Sequence, residues 1–234
     1  FGAQEVLLPQ DFTADDIKKI ATDKLKLILF SSPSNPTGYI MKKPQIEALA
    51  ELAESTGACL VSDEIYSLYD YENQFISAAS IYEKTLTLFG FSKSYSMTGL
   101  RLSAATGPTQ IIKALTVLQQ YTVVCAPSIV QWAAIEALKT DMTPYVNDYR
   151  TKRDIIKKEL TGVTEFYEPE GAFYLFAKVP GNDLEFCERA IKEKELLVVP
   201  GRIFTPETNW VRISYAADTN TLQRGISALK DLLS

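Results

Sequence analysis

The sequence contains no histidine, and this absence excludes several kinds of active site. A Ser-His-Asp triad, a His-Glu-x-x-His zinc site and a histidine general base all require an imidazole. Proton transfer near neutral pH must therefore depend on a lysine, a carboxylate, a tyrosine or a cysteine whose pKa is shifted.

Cysteine is scarce as well. Cys59, Cys125 and Cys187 are odd in number and far apart along the chain. This pattern indicates neither a disulfide framework nor a cysteine metal cluster. Because it suits a reducing compartment, we expect a cytoplasmic protein without a metal site.

Long apolar runs and an excess of positive charge are also missing. The 24 Lys and Arg residues are outnumbered by 29 Asp and Glu residues, which gives a net charge of −5. The apolar stretches are about as long as a strand and too short to span a membrane. We therefore expect neither a nucleic acid nor a membrane as partner.

The sequence has the composition of an ordinary globular protein. Its 234 residues are 46% hydrophobic and 23% charged, which is enough to build a real core. The chain begins at Phe1 without a methionine or a signal peptide, and we therefore expect it to be part of a longer protein.

The first half of the chain alternates between strand and helix patterns. Apolar runs predict strands over residues 25–30, 58–62, 85–89 and 100–106. Residues 75–82 read as a short helical connection. A longer helix is predicted by apolar residues at helical spacing, namely Ile46, Leu49, Ala50 and Ala53. Alternating strands and helices favour right-handed crossovers and a largely parallel sheet.

The second half changes character. Residues 108–160 read as three helical pieces, broken near Pro127 and residues 141–144. The last piece has a basic face that we interpret as a solvated surface, made of Arg150, Lys152, Arg153, Lys157 and Lys158.

Short strands then alternate with helices to the end of the sequence. The strands are predicted at residues 173–178, 196–199 and 210–215, and a helix at 184–194. A closing helix has Asp218 as its N-cap and an apolar stripe of Leu222, Ile226, Leu229 and Leu233.

Together these patterns predict an α/β fold with two domains. A largely parallel sheet flanked by helices occupies residues 1–150, and a smaller α+β domain occupies residues 151–234. The boundary is expected within a helix, between residues 145 and 160.

Polar clusters follow three of the predicted strands. Residues 34–38 follow the first strand, residues 63–66 the second and residues 90–94 the third. Carboxyl ends of parallel strands share one edge, and ligands bind outside that edge. We therefore expect four side chains to converge there, those of Asn35, Asp63, Tyr66 and Lys93.

Each of these residues has an ordinary explanation when it is taken alone. Asn-Pro-Thr-Gly is a turn sequence, Asp63 could cap a helix, and a lysine is usually solvated. Arg101, at the start of the fourth strand, would by default be an ion-pair partner.

The ordered set of motifs nevertheless resembles one family. The string Phe-Ser-Lys-Ser-Tyr-Ser-Met-Thr-Gly-Leu-Arg at residues 91–101 is similar to the pattern around the cofactor lysine of the aspartate aminotransferase superfamily. These are pyridoxal-phosphate enzymes of fold type I, class I/II. Further motifs in the family's order lie at residues 34–38, 63–66, 169–174, 199–201 and 211–215.

The resemblance implies a role for each residue of the expected cofactor site. Lys93 would form a Schiff base with pyridoxal phosphate and move the proton during catalysis. Asp63 would pair with the pyridine nitrogen, which makes the ring an electron sink. Tyr66 and Asn35 would hydrogen-bond the phenolic oxygen of the ring.

The resemblance also implies how the phosphate and the substrate are bound. Ser92 and Arg101 would hold the phosphate. Arg212, together with Asn35, would bind the α-carboxylate of the substrate by a bidentate pair. The implied activity is transfer of an amino group between an amino acid and a 2-oxo acid in a homodimer.

Two features differ from the family pattern. Gly90 stands where several branches carry a hydroxyl that touches the phosphate. Family members are also longer, and this chain begins near their second third. The missing part would supply phosphate-binding amides, the aromatic residue that stacks on the ring, and the tyrosine donated across the dimer, so this fragment alone could be inactive.

Other functions remain open. A C–S or β-lyase of the same fold uses the same lysine, but the Met-Thr-Gly-Leu-Arg run favours transamination. A pyridoxal-phosphate-sensing domain of a transcription regulator is a non-enzymatic alternative, although such domains usually alter the Asn-Pro-Thr-Gly motif. The donor amino acid is not fixed by these residues; we favour aromatic or broad specificity.

Overall fold

The computed structural model describes residues 2–233, which divide into two compact units. Unit 1 comprises residues 2–32, Met41–Ser67 and Gln74–Thr140. Unit 2 comprises Pro33–Ile40, Leu68–Asn73 and residues 141–233. Two short segments of the first half therefore belong to the second unit, and no signal in the sequence marks them. The predicted division into domains at residues 1–150 and 151–234 therefore remains a prediction.

Unit 1 is built on a four-stranded sheet. Its strands lie in the order β1 (Leu27–Ser31), β2 (Cys59–Asp63), β3 (Leu86–Gly90) and β4 (Ser103–Thr106). β1, β2 and β3 are parallel, as predicted, and β4 runs antiparallel to β3. The connection before β4 holds only the four-residue helix α3 (Phe91–Ser94) and a 3₁₀ turn at Thr98–Leu100. It is too short to carry the chain back to the other end of the sheet, so β4 reverses direction. The fourth strand was predicted over residues 100–106, but the 3₁₀ turn occupies Leu100 and the strand begins only at Ser103.

The remaining helices of unit 1 are α1 (Ala14–Ile20), α2 (Lys43–Thr56), α4 (Thr109–Thr122) and α5 (Ser128–Ala137). α1, which the sequence pattern did not predict, begins with a capping box between Thr13 and Asp16. α2 buries the predicted stripe of Ile46, Leu49, Ala50 and Ala53. The expected helix at residues 75–82 is reduced to a 3₁₀ turn, Ala78–Ser80.

Unit 2 contains a three-stranded antiparallel sheet and three helices. The strand order is β5 (Tyr174–Lys178), β7 (Trp210–Ser214) and β6 (Val199–Pro200). The helices are α6 (Thr143–Leu160), α7 (Asp183–Lys194) and α8 (Thr219–Leu233).

The closing helix α8 follows its predicted pattern with one shift. The Thr221 backbone N–H donates to Asp218 Oδ1 at 3.0 Å, which confirms the N-cap. The buried stripe ends at Leu232 instead of Leu233. Among residues 2–233, no helix combines the length and apolar character needed to cross a membrane.

Candidate functional site

The carboxyl edge of the parallel sheet carries three of the four residues expected to converge. Asp63 is the last residue of β2 and pairs in register with Ser31 of β1 and Leu88 of β3. Tyr66 follows on the same loop and is buried. Lys93 lies in α3, which begins directly after β3 ends at Gly90. The fourth residue, Asn35, belongs to unit 2.

Two contacts join the Lys93 helix to the loop that carries Asp63. The Ser94 hydroxyl donates to the Ile65 carbonyl at 3.1 Å. The Ile65 side chain also packs against Gly90, where an added Cβ would lie 2.8 Å from Ile65 Cδ1. A hydroxyl residue at position 90 would therefore require the end of the Ile65 side chain to shift.

Asp63 and its neighbour Glu64 have different surroundings. Asp63 is half-buried, and its Oδ1 accepts the Ile65 N–H at 3.1 Å. Glu64 is buried, and its Oε1 accepts hydrogen bonds from Ser62 Oγ, Ser77 Oγ and the Ala78 N–H, each at 3.0 Å. Burial raises the pKa of Glu64 above its ordinary value, although these three donors act in the opposite direction.

Sequence reasoning gave no role to Glu64, which fixes the Asp63 loop to residues 77–78. The only local signal is the flanking Ser62, because the other two donors are distant in sequence. Residues 2–233 hold no group of three or more His, Cys, Asp or Glu residues that could bind a metal ion.

The two residues assigned to the phosphate lie close along the chain. Ser92 is half-buried in α3, and Arg101 is exposed and precedes β4. Arg101 has a left-handed φ of 52°, and its Nη1 donates to the Thr98 carbonyl at 3.0 Å. The Phe91 N–H donates to the Leu102 carbonyl at 3.2 Å, so the Arg101 segment is held beside the start of α3.

Unit 2 contains the pair expected to bind the substrate carboxylate. Arg212 Nη1 donates to Asn35 Oδ1 at 2.9 Å, across 177 positions of sequence. The Arg212 guanidinium carbon lies 4.5 Å from the centre of the Tyr174 ring and 4.9 Å from that of Phe204. Its buried Nε has no hydrogen-bond partner among residues 2–233. The guanidinium is thus held in place and retains a donor for an anion.

The loop that carries Asn35 is held in shape by contacts to residues 169–172. The Gly171 N–H donates to the Gly38 carbonyl at 2.7 Å, and the Ile40 N–H donates to Glu170 Oε2 at 2.9 Å. Gly38 has a φ of +73°, and a Cβ there would lie 2.7 Å from the Gly171 carbonyl oxygen. Only glycine tolerates both conditions. The Asn35–Pro36 peptide bond is cis.

Arg153 holds the same 169–172 segment from the other side. Its side chain is 6% exposed, donates to the Pro169 carbonyl at 3.0 Å and pairs with Glu72 at 2.8 Å. The hydroxyls of Tyr71 and Tyr215 both donate to the Ala172 carbonyl. The interpretation of Arg153 as part of a solvated basic face was therefore wrong. Its side chain is buried and holds the segment of residues 169–172 in place.

Comparison with known proteins identifies relatives over nearly the whole chain. The family described as "Aminotransferase class I and II" matches residues 10–229. An aspartate aminotransferase of Thermotoga maritima is 32% identical over 236 aligned positions, which cover 98% of this chain and 62% of the relative. Aromatic-amino-acid aminotransferase 2 of Thermococcus litoralis is 30% identical, over 94% of this chain and 60% of its own.

Solved structures give the same result. The crystal structure of aspartate aminotransferase from Thermotoga maritima superposes with a TM-score of 0.90 at 33% identity, over 94% of this chain and 60% of that one. Aromatic aminotransferase from Pyrococcus horikoshii OT3 gives 0.88 at 31% identity, over 95% and 63%. These likenesses confirm the predicted fold class, an α/β fold with a largely parallel sheet. The chain spans about 60% of the length of these relatives, and it belongs to the aminotransferase class I and II family.

Proposed function

We propose that the protein containing this chain is an aminotransferase that moves an amino group between an amino acid and a 2-oxo acid, with pyridoxal phosphate bound through Lys93. One observation carries the proposal. In a chain of this family, Asp63 ends one strand and Lys93 closely follows the neighbouring parallel strand, at the same edge of the sheet. That edge is where α/β sheets bind ligands.

The residues present suit pyridoxal phosphate. An acid for the ring nitrogen, a lysine for the aldehyde, and a hydroxyl and a guanidinium for the phosphate are all carried by unit 1: Asp63, Lys93, Ser92 and Arg101. The family uses this cofactor. When bound, pyridoxal phosphate supplies an aldehyde that condenses with amines and a ring that accepts the electron pair left when the Cα–H bond breaks.

Within this proposal the side chains of unit 1 bind the cofactor and move the proton. The Lys93 amine would hold the cofactor until substrate replaces it, and its Nζ would then take the proton from the substrate Cα. The Asp63 carboxylate would accept a hydrogen bond from the protonated ring nitrogen, and Tyr66 would donate one to the ring oxygen. Ser92 and Arg101 would hold the phosphate and so limit rotation of the ring.

Arg212 and Asn35 bind the substrate. The guanidinium offers its unpartnered Nε–H and further N–H groups to the α-carboxylate, and the bond to Asn35 fixes the plane of the fork. A carboxylate held at two points leaves the substrate Cα little freedom, so its Cα–H bond can be aligned for removal.

The substrate class follows from this carboxylate contact. Arg212 recognises any α-amino acid and does not select a side chain. The relatives are named for aspartate and for aromatic amino acids, and both remain candidate donors. A homodimer in the cytoplasm also belongs to the proposal; the three free cysteines, Cys59, Cys125 and Cys187, support a reducing compartment.

The test is a single turnover with the cofactor-loaded protein. L-Aspartate, L-tyrosine, L-alanine, L-leucine and L-cystathionine are added separately, and released 2-oxo acid and ammonia are measured. The proposal predicts one 2-oxo acid per bound cofactor without ammonia for at least one donor. Lys93→Ala should abolish this release, and Lys43→Ala, at an exposed lysine of α2, should not.

Other results would contradict the proposal. Pyruvate with an equal amount of ammonia would identify a lyase. Release that persists undiminished in Lys93→Ala would remove Lys93 from the reaction.

A further inference from the structure

Unit 2 contains a buried carboxylate to which the proposed reaction assigns no role. Asp183 is the first residue of α7, and its side chain is fully buried. A buried acid is retained at a cost unless partners compensate its charge. Its partner here is Arg202, in the loop that follows β6.

Asp183 holds both the backbone and the side chain of Arg202. Its Oδ2 accepts the Arg202 backbone N–H at 2.9 Å, and its Oδ1 accepts Arg202 Nε at 2.8 Å. Burial raises the pKa of Asp183, but the hydrogen bonds from Arg202 outweigh burial and hold the pKa below its ordinary value.

The same acid is tied to the far end of this loop. The Asp183 backbone N–H donates to the Thr208 carbonyl at 2.8 Å. The start of α7 therefore fixes residues 202 and 208, which are two points on the loop between β6 and β7.

The loop between these two points carries Phe204. The Phe204 N–H donates to the Gly201 carbonyl at 2.7 Å, which closes a tight turn. A Cβ on Gly201 would lie 2.5 Å from the Trp210 carbonyl oxygen, so the turn is pressed against β7. Arg212 lies on the same strand, and the Phe204 ring covers one side of its guanidinium.

This arrangement links Asp183 to the carboxylate site without direct contact. Tyr174 and Phe204 both lie against the Arg212 guanidinium and restrict its rotation. Tyr174 belongs to β5, whereas Phe204 lies on the loop. The Phe204 ring also meets Phe176 of β5 edge-on, at 6.2 Å between ring centres, so the loop must present it at this position. The Asp183–Arg202 pair is the charged part of the connection that holds this loop to the start of α7. The Asp183 N–H bond to Thr208 and a 3.0 Å bond from Arg202 Nη2 to Asn182 Oδ1 accompany it.

We infer that Asp183 and Arg202 are positioning residues that hold Phe204 against Arg212 and thereby set the affinity of the site for a carboxylate. The affinity part of the inference rests on the proposed function of Arg212. The placement of Phe204 does not.

The first experiment needs no ligand. The Arg212 Nε–H resonance is followed by ¹⁵N nuclear magnetic resonance and assigned by its loss in Arg212→Lys. The ring current of Phe204 changes the chemical shift of this resonance. The Phe204→Leu variant gives the chemical shift in the absence of that ring. Asp183→Ala should move the resonance most of the way to the Phe204→Leu position, and Arg202→Lys part of the way.

Asp231→Ala is the matched control. Asp231 pairs with Lys194 at 2.7 Å, so this variant removes an acid from another ion pair of the same unit and should leave the resonance in place. An Asp183→Ala resonance at the native position would overturn the inference. If Asp183→Ala does not fold, Arg202→Lys decides the question, because it keeps the positive charge and the backbone bond to Asp183.

The second experiment titrates the same resonance with maleate, a simple dicarboxylate. Misplacement of the fork should weaken binding about tenfold in Asp183→Ala, less in Arg202→Lys, and not at all in Asp231→Ala. Native-like affinity in Asp183→Ala would overturn the positioning role. Failure of the native chain to bind maleate at Arg212 would instead overturn the proposed function of Arg212, and the ligand-free shift would still decide where Phe204 is held.

Discussion

The two units differ in how completely they cover their own apolar side chains. In unit 2, the core strand β5 and the inner face of α8 are buried. In unit 1, α4 and α5 expose large apolar residues, with Tyr121 at 85%, Ile129 at 77% and Trp132 at 70% exposure. Leu27 and Leu29 of β1 are also exposed.

The proposed site residues show the same difference. Arg212 of unit 2 is held by one hydrogen bond and two aromatic rings. Arg101 of unit 1 is exposed and donates to a nearby carbonyl. The proposed carboxylate site is thus built by contacts within one unit of this chain. The proposed phosphate site can be tested only with the cofactor present.

The largest expected effect concerns core packing. Leu229→Ala in α8 removes a side chain that is 2% exposed, and should lower the unfolding free energy of unit 2 by about 2–5 kcal/mol through the lost burial and the cavity. Leu118→Ala in α4 removes one that is 59% exposed, and should change stability by less than about 0.5 kcal/mol.

Urea unfolding checks this contrast. Trp210 is buried in unit 2 and reports that unit in a Trp132→Phe background, whereas Trp132 reports unit 1 in a Trp210→Phe background. Equal losses from the two leucine variants would contradict the described difference in packing.

The next largest effect distinguishes the proposed roles of Arg212 and Arg101. Arg212→Lys should weaken maleate binding about a hundredfold, because a lysine cannot form the planar bidentate pair. Arg101→Lys should leave maleate binding unchanged and weaken the binding of pyridoxal phosphate. Isothermal titration of each ligand into both variants measures this, and equal loss of both ligands in both variants would show that the roles are not separate.

The smallest expected effect is on stability: Glu64 and Asp183 should make the unfolding free energies of the two units depend on pH in opposite directions. The pKa of Glu64 in unit 1 is raised from 4.5, first by burial, so protonation as the pH falls through this raised value removes a buried charge and stabilises the unit. The pKa of Asp183 in unit 2 lies below 3.8, because hydrogen bonds from Arg202 outweigh its burial. Its contribution is therefore present above pH 3.8 and is lost as the pH falls through the folded-state value.

Urea midpoints between neutral pH and pH 3 test these signs in the two tryptophan backgrounds. Glu64→Gln should raise the unit 1 midpoint at neutral pH, with the difference from native fading toward pH 4.5. Asp183→Asn should lower the unit 2 midpoint at neutral pH, with the difference shrinking in acid. If the urea midpoint depended on pH in each variant as it does in the native protein, groups other than Glu64 and Asp183 would be responsible for that dependence.

Local patterns predicted most of the fold. The stripe of α2, the three helical pieces α4, α5 and α6, and the N-cap of α8 depend on neighbouring residues, and the structure confirms them. The direction of β4 could not be predicted from its own residues. It depends on whether the connection before it contains a long helix, and this one contains only a four-residue helix and a 3₁₀ turn. The segments of unit 2 that come from the first half were not readable either, since only distant backbone contacts place them there.

The sequence named residues of the candidate site but not the contacts between them. The motifs named Asn35 and Arg212, but the hydrogen bond between them joins residues far apart in sequence. Arg153 was misread because a run of basic residues looks the same whether its members are solvated or buried. Its partners, Glu72 and the Pro169 carbonyl, come from other parts of the chain. Glu64 and Asp183 were missed for the same reason.

The most direct test of the central claim is to trap the cofactor on the protein. The whole protein that contains this chain is incubated with pyridoxal phosphate, reduced with borohydride and mapped by peptide mass spectrometry, beside Lys93→Ala and the control Lys43→Ala. We predict one adduct, on Lys93, that is retained in the control and lost in Lys93→Ala. An adduct of equal yield on another lysine, or no adduct on Lys93, would contradict the claim that this lysine binds the cofactor.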